Sequence, residues 1–151
     1  MIPIFYITNQ RPVSVNNSDK HMDFENTIRT DFEEHFYKFY SDLPLDSWDL
    51  KTRITFICAD KYRDQIPDID NISKPIIDAF QGIIYINDKQ VVDRNATLIE
   101  SKDFDFATVD ATNMPIIVLK RLEKFYQRKE KNIVLLGVTT IDTKTIRVGE
   151  I

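Results

Sequence analysis

Two periods of hydrophobic and polar residues run through the chain, and they divide it into elements. Ile2 to Thr8 is apolar and rich in β-branched and aromatic residues, which predicts a strand. From Asp23 to Leu43 the residues Phe24, Ile28, Phe32, Phe36, Phe39 and Leu43 recur every three or four positions. That spacing predicts a long amphipathic helix with an aromatic stripe. Thr52 to Ala59 alternates weakly, with Ile54, Phe56 and Cys58 on one face, and reads as a second strand. Ile72, Ile76, Ile77 and Phe80 fit one face of a short helix that Asn71 starts and Gly82 closes. Ile83 to Ile86 and Gln90 to Ser101 read as an antiparallel pair around a turn at Asn87-Asp88-Lys89. Pro115 to about Glu130 reads as a second long helix, with Ile117, Leu119, Leu122 and Phe125 as its apolar contacts. Asn132 to Thr139 and Thr145 to Val148 read as a closing hairpin around Asp142-Thr143-Lys144. The expected fold is one α/β (α+β) domain: a mixed sheet of about five to six strands, two long helices and one short one. Residues 1–151 form that single domain, with a helix-hairpin extension from about 111.

Connections and composition narrow the class. Arg11 to Asn17 and Asp42 to Asp49 are polar loops, the second with Trp48 expected to pack across it, and Asp103 to Asp110 is an acidic turn. No apolar run approaches the roughly 20 residues of a membrane span. The start, Met1 to Tyr6, lacks a basic region and a cleavage site and does not read as a signal peptide, and the single cysteine, which allows no internal disulfide, fits an expected cytoplasmic location. The only cysteine, Cys58, lies in an apolar strand and reads as a buried small hydrophobe. One Cys and two His (His21 and His35, both read as solvated or capping) argue against structural zinc, and three Gly leave no room for a P-loop or dinucleotide fingerprint. The net charge of −4 is unfavourable for a DNA-binding protein, so basic residues must be concentrated locally.

One stretch carries candidate chemistry. Asp68 and Asp70 alternate, which on an extended chain points both to one side. Asp70, Lys74 and Asp78 are four apart and share a helix face. Asp88 follows after one short apolar segment, at a hairpin tip from which it would reach back to Asp68 and Asp70. Two bare carboxylates about 4 Å apart repel by about 4 kcal/mol at an effective dielectric of about 20. Such a cluster is tolerable when solvated, protonated or shared by a cation, and Mg²⁺ is the hard, oxygen-seeking choice. An EF-hand is excluded, because its sixth position would be Ser73 and its twelfth Ala79. Pro75 would be the fourth helical residue after an Asn71 cap, which predicts a late helix start or a kink.

At these residues the chain resembles a known family. Asp68-x-Asp70-Asn71-x-x-Lys74, then Asp78-Ala79 and Gly82, then Asn87-Asp88-x-Gln90-Val91, is similar to the signature of the RusA-type Holliday junction resolvases. A shorter similarity lies in Pro12-x-Ser14-x-Asn16. Pro75, Lys89 and the long C-terminal continuation depart from the usual pattern. The resemblance implies a RusA-like fold and a Mg²⁺-dependent endodeoxyribonuclease, with Mn²⁺ as the alternative ion, that acts as a homodimer on four-way or branched DNA. It implies Asp68, Asp70 and Asp88 as catalytic metal ligands, Lys74 as the essential lysine and Asn71 in support.

The expected reaction is phosphodiester hydrolysis, with the metal activating water and Lys74 stabilising developing charge. Candidate DNA contacts are Lys61 and Arg63 in a basic turn, Lys89 beside Asp88, and Lys120, Lys124 and Arg128, four apart on the second long helix. The alternative is a non-catalytic nucleic-acid- or protein-binding module on the same fold.

Overall fold

The computed structural model describes residues 3–59, 64, 67–101 and 109–141. The elements run β1 (Ile4–Thr8), α1 (Ser18–His35), β2 (Leu50–Cys58), α2 (Ile69–Ala79), β3 (Val91–Glu100), α3 (Ile116–Gln127) and β4 (Asn132–Thr140). The sheet order is β1-β4-β2-β3. β4 is antiparallel to both neighbours, whereas β2 and β3 are parallel and joined through α2. The mixed sheet and the three helices agree with the expected class. Four strands are present among the described residues, fewer than the five to six expected.

The missing strand is Ile83 to Ile86. Gly82 adopts a positive φ of 83°, and its N–H donates to the Tyr85 carbonyl at 2.7 Å. Ile83 and Ile84 both donate back to the Phe80 carbonyl, which coils the segment into a turn. Leu45 pairs with this turn through Leu45 N to Ile84 O (2.7 Å) and Ile86 N to Leu45 O (3.2 Å). A short buried apolar run looks the same as strand or turn in sequence, and here burial alone made it apolar. Asp88 is therefore not at a hairpin tip. It opens a 3₁₀ turn (Asp88–Gln90) capped by Asn87, whose side chain accepts from Lys89 N and whose N–H donates to Gln90 Oε1, both at 2.9 Å. The second strand of the closing hairpin and the acidic turn at 102–108 lie outside the described residues.

α1 starts earlier and stops earlier than its stripe suggests. Asn17 caps it, accepting from Lys20 N, which moves the start from Asp23 to Ser18. After His35 the chain tightens into a 3₁₀ turn (Tyr37–Phe39), so Phe39 rotates out to 49% exposure and Leu43 drops to partial burial. Phe24, Ile28, Phe32 and Phe36 remain fully inside, each one turn apart. Trp48 does not pack across its loop; it is 56% exposed. Cys58 is buried as expected. No helix among the described residues is long and apolar enough to cross a membrane.

The core meets at an aromatic cluster. The Tyr6 ring lies edge-on to Phe32, Phe36 and Phe80, with centroids 5.8, 5.0 and 5.3 Å away. This joins β1 to α1 and to the end of α2. The Tyr6 hydroxyl donates to Asp31 Oδ2 at 2.6 Å, and Arg121 of α3 donates to the same oxygen at 2.6 Å. α3 therefore turns Arg121 inward between the buried Val118, Leu122 and Phe125. Its expected contacts Ile117 and Leu119 are only half-buried, because this charged anchor sets the helix rotation. At the sheet edge, the Tyr40 hydroxyl bonds both the N–H (2.9 Å) and the C=O (2.7 Å) of Phe5. That closes part of the free side of β1.

Burial raises the hydroxyls of Tyr6, Tyr40 and Tyr85 above the usual tyrosine value, with the Asp31 charge adding to the effect at Tyr6. Unfolded tyrosines ionise near pH 10, whereas these stay neutral in the fold. Their stabilisation is complete below about pH 10 and is lost as pH rises through the raised folded values. Urea-unfolding midpoints should therefore fall steadily above about pH 10, and less steeply in Tyr6→Phe. Equal pH slopes in parent and variant would contradict the role given to Tyr6.

Candidate active site on the clamped helix α2

α2 is the element that presents the acidic stretch, and its placement departs from the sequence expectation. The cap is Asp68, not Asn71, so Asp68 and Asp70 are not on one extended strand. Asp68 is the last extended residue (φ −55°, ψ 147°) and Asp70 is already helical. The helix neither starts late nor breaks at Pro75, which is buried within it.

The reason lies in the carbonyl that Pro75 leaves without a donor. Residue 75 would normally bond the carbonyl of Asn71, and proline has no N–H to give. Instead Val15 N donates to Asn71 O at 3.1 Å. The Pro12-to-Asn16 segment is thereby fastened to the acidic stretch through the carbonyl that Pro75 vacates. Ser14 shapes that segment, accepting from Asn16 N on its hydroxyl (3.1 Å) and from Asn17 N on its carbonyl (3.0 Å).

The other end of α2 is held as firmly. Arg29 of α1 donates to Ala79 O at 2.8 Å and to Gln81 O at 3.1 Å, using carbonyls the helix end leaves open. The Tyr85 hydroxyl donates to Ile77 O. Gln81 Oε1 accepts from Asp88 N at 3.3 Å, which ties the 3₁₀ turn to the end of α2.

Between α2 and β3 lies a cavity of about 530 Å³, lined by Asp70, Ser73, Lys74, Thr52, Arg94 and neighbouring side chains. Asp68 and Asp70 are exposed, and Asp68 makes no capping bond with its side chain. An aspartate cap normally spends its carboxylate on the helix N–H groups; here it is left for another ligand. At the cavity wall, the Thr52 hydroxyl is fully buried without a hydrogen-bond partner among the described residues. Such groups in native folds are satisfied by a ligand or water. Lys74 Nζ bonds Asp78 Oδ2 at 2.8 Å rather than Asp70. Both partners are partly exposed, so the pair contributes no more than about 0.5 kcal/mol and can exchange partners readily.

Arg94 was not singled out by sequence spacing. It follows the matching motif by only a few residues, but its side is decided by sheet register. Thr52 pairs with Arg94 and Ile54 with Ala96, which turns Arg94 toward α2 and into the cavity with Asp70 and Lys74. Its guanidinium also reaches the Asp88 carbonyl at 3.5 Å. The remaining signal was alternation, and β3 alternates too weakly to show it.

The three acids are not brought together. Among the described residues no three Asp, Glu, His or Cys side chains converge as a metal site. Asp68 and Asp70 open α2, whereas Asp88 opens the 3₁₀ turn that Gln81 ties to the other end of that helix. The donor set still suits Mg²⁺, which takes one or two carboxylates and completes its shell with water and phosphate oxygens. Asp68 and Asp70 would be that pair. Of the other candidates, Asn71 is half-buried and holds Val15 through its backbone, and Lys89, Lys120, Lys124 and Arg128 are exposed. Lys61 and Arg63 lie outside the described residues. His21 is half-buried with Nδ1 against Asn17 O (2.7 Å), and His35 faces Asp31 at 3.1 Å.

The family model described as endodeoxyribonuclease RusA matches residues 6–106. The chain belongs to the RusA endodeoxyribonuclease family. The matched segment runs from β1 through β3 and includes both ends of the α2 clamp, the cavity and Asp88. It stops before α3 and β4, although β4 occupies the middle of the sheet. No curated protein matches the chain.

If Pro75 is what leaves Asn71 O for Val15, restoring an N–H at position 75 should loosen the loop. In Pro75→Ala, the Val15 amide should exchange with deuterium faster than in the parent, with α2 itself at least as well protected. Unchanged protection at Val15 would mean that the proline plays no part in docking that segment.

Proposed function

We propose that this RusA-family chain is a Mg²⁺-dependent endonuclease that hydrolyses a phosphodiester in four-way or branched DNA and works as a homodimer. The observation that carries the reading is the pair of exposed carboxylates, Asp68 and Asp70, without ion-pair partners among the described residues, beside a cavity lined by two cations, Lys74 and Arg94. Carboxylates with a cation pair suit a phosphate ester: the acids hold a hard ion and the cations hold the anionic substrate.

Asp68 and Asp70 would hold the ion. When bound, it would polarise the phosphate and lower the pKa of the attacking water. The remaining roles fall to the chain's own groups. Arg94 offers a planar fork that fits a phosphate, and its bond to Asp88 O fixes its reach. Lys74 is held by Asp78 until a phosphate competes for its ammonium, and there it would stabilise charge that develops in the transition state. Asp88 is tethered at the same edge through Arg94 and Gln81. The clamps on α2 keep Asp70 and Lys74 in place without using their side chains.

A second reading, a binding module without catalysis, is favoured by the separation of Asp88 from the other two acids. Cleavage assays divide the two. Incubation with a synthetic four-way junction should give cuts with Mg²⁺ and none with EDTA. Asp70→Asn removes the metal-holding charge at nearly constant size, so it should abolish cleavage while retaining fold and junction binding. Near-normal Mg²⁺-dependent cleavage by this variant would exclude the site.

Arg94 gives a separate test. A hydrogen bond to a charged group contributes about 1.5–3 kcal/mol, so Arg94→Ala should lower kcat/KM for junction cleavage by about 10- to 100-fold. Arg94→Lys keeps the charge but not the fork and should recover only part of the loss. Single-turnover rates at saturating protein measure both, and full activity in Arg94→Ala would remove Arg94 from the site.

A further inference from the structure

A second polar cavity, of about 340 Å³, shares no lining residue with the Asp70 cavity. Its walls are the end of β1 (Thr8, Asn9), Thr27 of α1, and Arg121, Lys124 and Arg128 from α3 and its cap. Arg121 is the floor. It is fixed by Asp31 Oδ2 (2.6 Å) and Ile7 O (3.3 Å), and its guanidinium lies 4.7 Å from the centre of the Phe36 ring. The charges of Arg121 and Asp31 offset one another. Lys124 and Arg128 are exposed and have no ion-pair partner among the described residues, so the cavity keeps two uncompensated positive charges. They stand one turn apart, roughly 6 Å along α3. The alignment sets Lys120 apart, since it does not line this cavity.

Two cations without an ion-pair partner among the described residues stand over a polar cavity, and their chemistry suits phosphate oxygens. We infer that this cavity holds backbone phosphates of the DNA at a place other than the scissile bond. The sheet order puts β1 and β3 at opposite edges, three strand spacings or about 14 Å apart. α1 lines the second cavity through Thr27 and Asp31 and contributes no residue to the Asp70 cavity. One phosphate cannot occupy both. α3 lies beyond the matched residues 6–106, so this contact belongs to a part of the chain outside the family match. The inference takes the identity of the polymer from the nuclease reading, but it concerns binding and not cleavage.

The test is the salt dependence of junction binding, measured by fluorescence anisotropy in the Asp70→Asn background with Mg²⁺, where nothing is cut. Each neutralised phosphate contributes a slope of about −0.9 in log affinity against log salt. Lys124→Gln with Arg128→Gln should flatten the slope by about 1.8, and glutamine keeps the helix propensity of α3. Gln10→Lys, at the same cavity, should steepen it by up to about 0.9, a gain that damage to the fold would not produce. A slope unchanged in the double variant overturns the inference. So does a parent chain that binds no junction. If inorganic phosphate raises the melting temperature of the parent but not of the double variant, while the junction slope stays the same, the cavity takes a free anion and the inference is again overturned. Failure of the parent to cleave would sink the nuclease reading alone and leave the slope comparison intact.

Discussion

The packing of Phe32 against Tyr6 and Phe80 is the contact on which the other placements depend. Phe32 is fully buried on α1, with Tyr6 on β1 and Phe80 at the end of α2 around it. Edge-to-face pairs of this kind contribute about 0.5–1.5 kcal/mol each beyond the burial of their area, so the cluster sets angles as well as supplying stability. Tyr6 then extends the arrangement to α3, because its hydroxyl and Arg121 share one oxygen of Asp31. The sheet and all three helices are thus oriented by one aromatic cluster and one carboxylate.

Within that frame α2 is anchored through its backbone. Val15 bonds the carbonyl that Pro75 vacates, Arg29 closes the carbonyls at the C-terminal end, and Tyr85 bonds Ile77 O. A helix secured in this way needs nothing from the side chains on its outer face. Asp68 and Asp70 remain without partners among the described residues, and Lys74 is engaged only by a weak, exposed pair. The buried, unpartnered hydroxyl of Thr52 lies in the same cavity. The anchoring of α2 therefore rests on backbone atoms and leaves its outer side chains open to the proposed chemistry.

Charge is divided in a similar way. The chain is acidic overall, yet Arg94 and Lys74 line one cavity, and Arg121, Lys124 and Arg128 line another. The parallel pairing of β2 with β3 through α2 puts the first set beside the acids, and the rotation of α3 about Arg121 makes the second.

The sequence by itself determined the parts that depend on neighbours along the chain. The stripe Phe24, Ile28, Phe32 and Phe36 specified α1, since residues one turn apart meet whatever lies opposite. The Asp68-to-Val91 signature specified the family and the candidate acids. Tertiary structure decided the rest. The turn at Ile83 to Ile86 is apolar because it is buried, and periodicity cannot separate that from a strand. Pro75 would break a helix whose carbonyl had no other donor, but Val15 supplies one from a loop before α1. Arg94 joined the cavity only through its register with Thr52. Lys74 turned to Asp78, and Asp88 opens a 3₁₀ turn tied to Gln81 instead of standing at a hairpin tip. In each of these the deciding partner comes from a different element, and its distance in space is set by packing that local pattern does not encode.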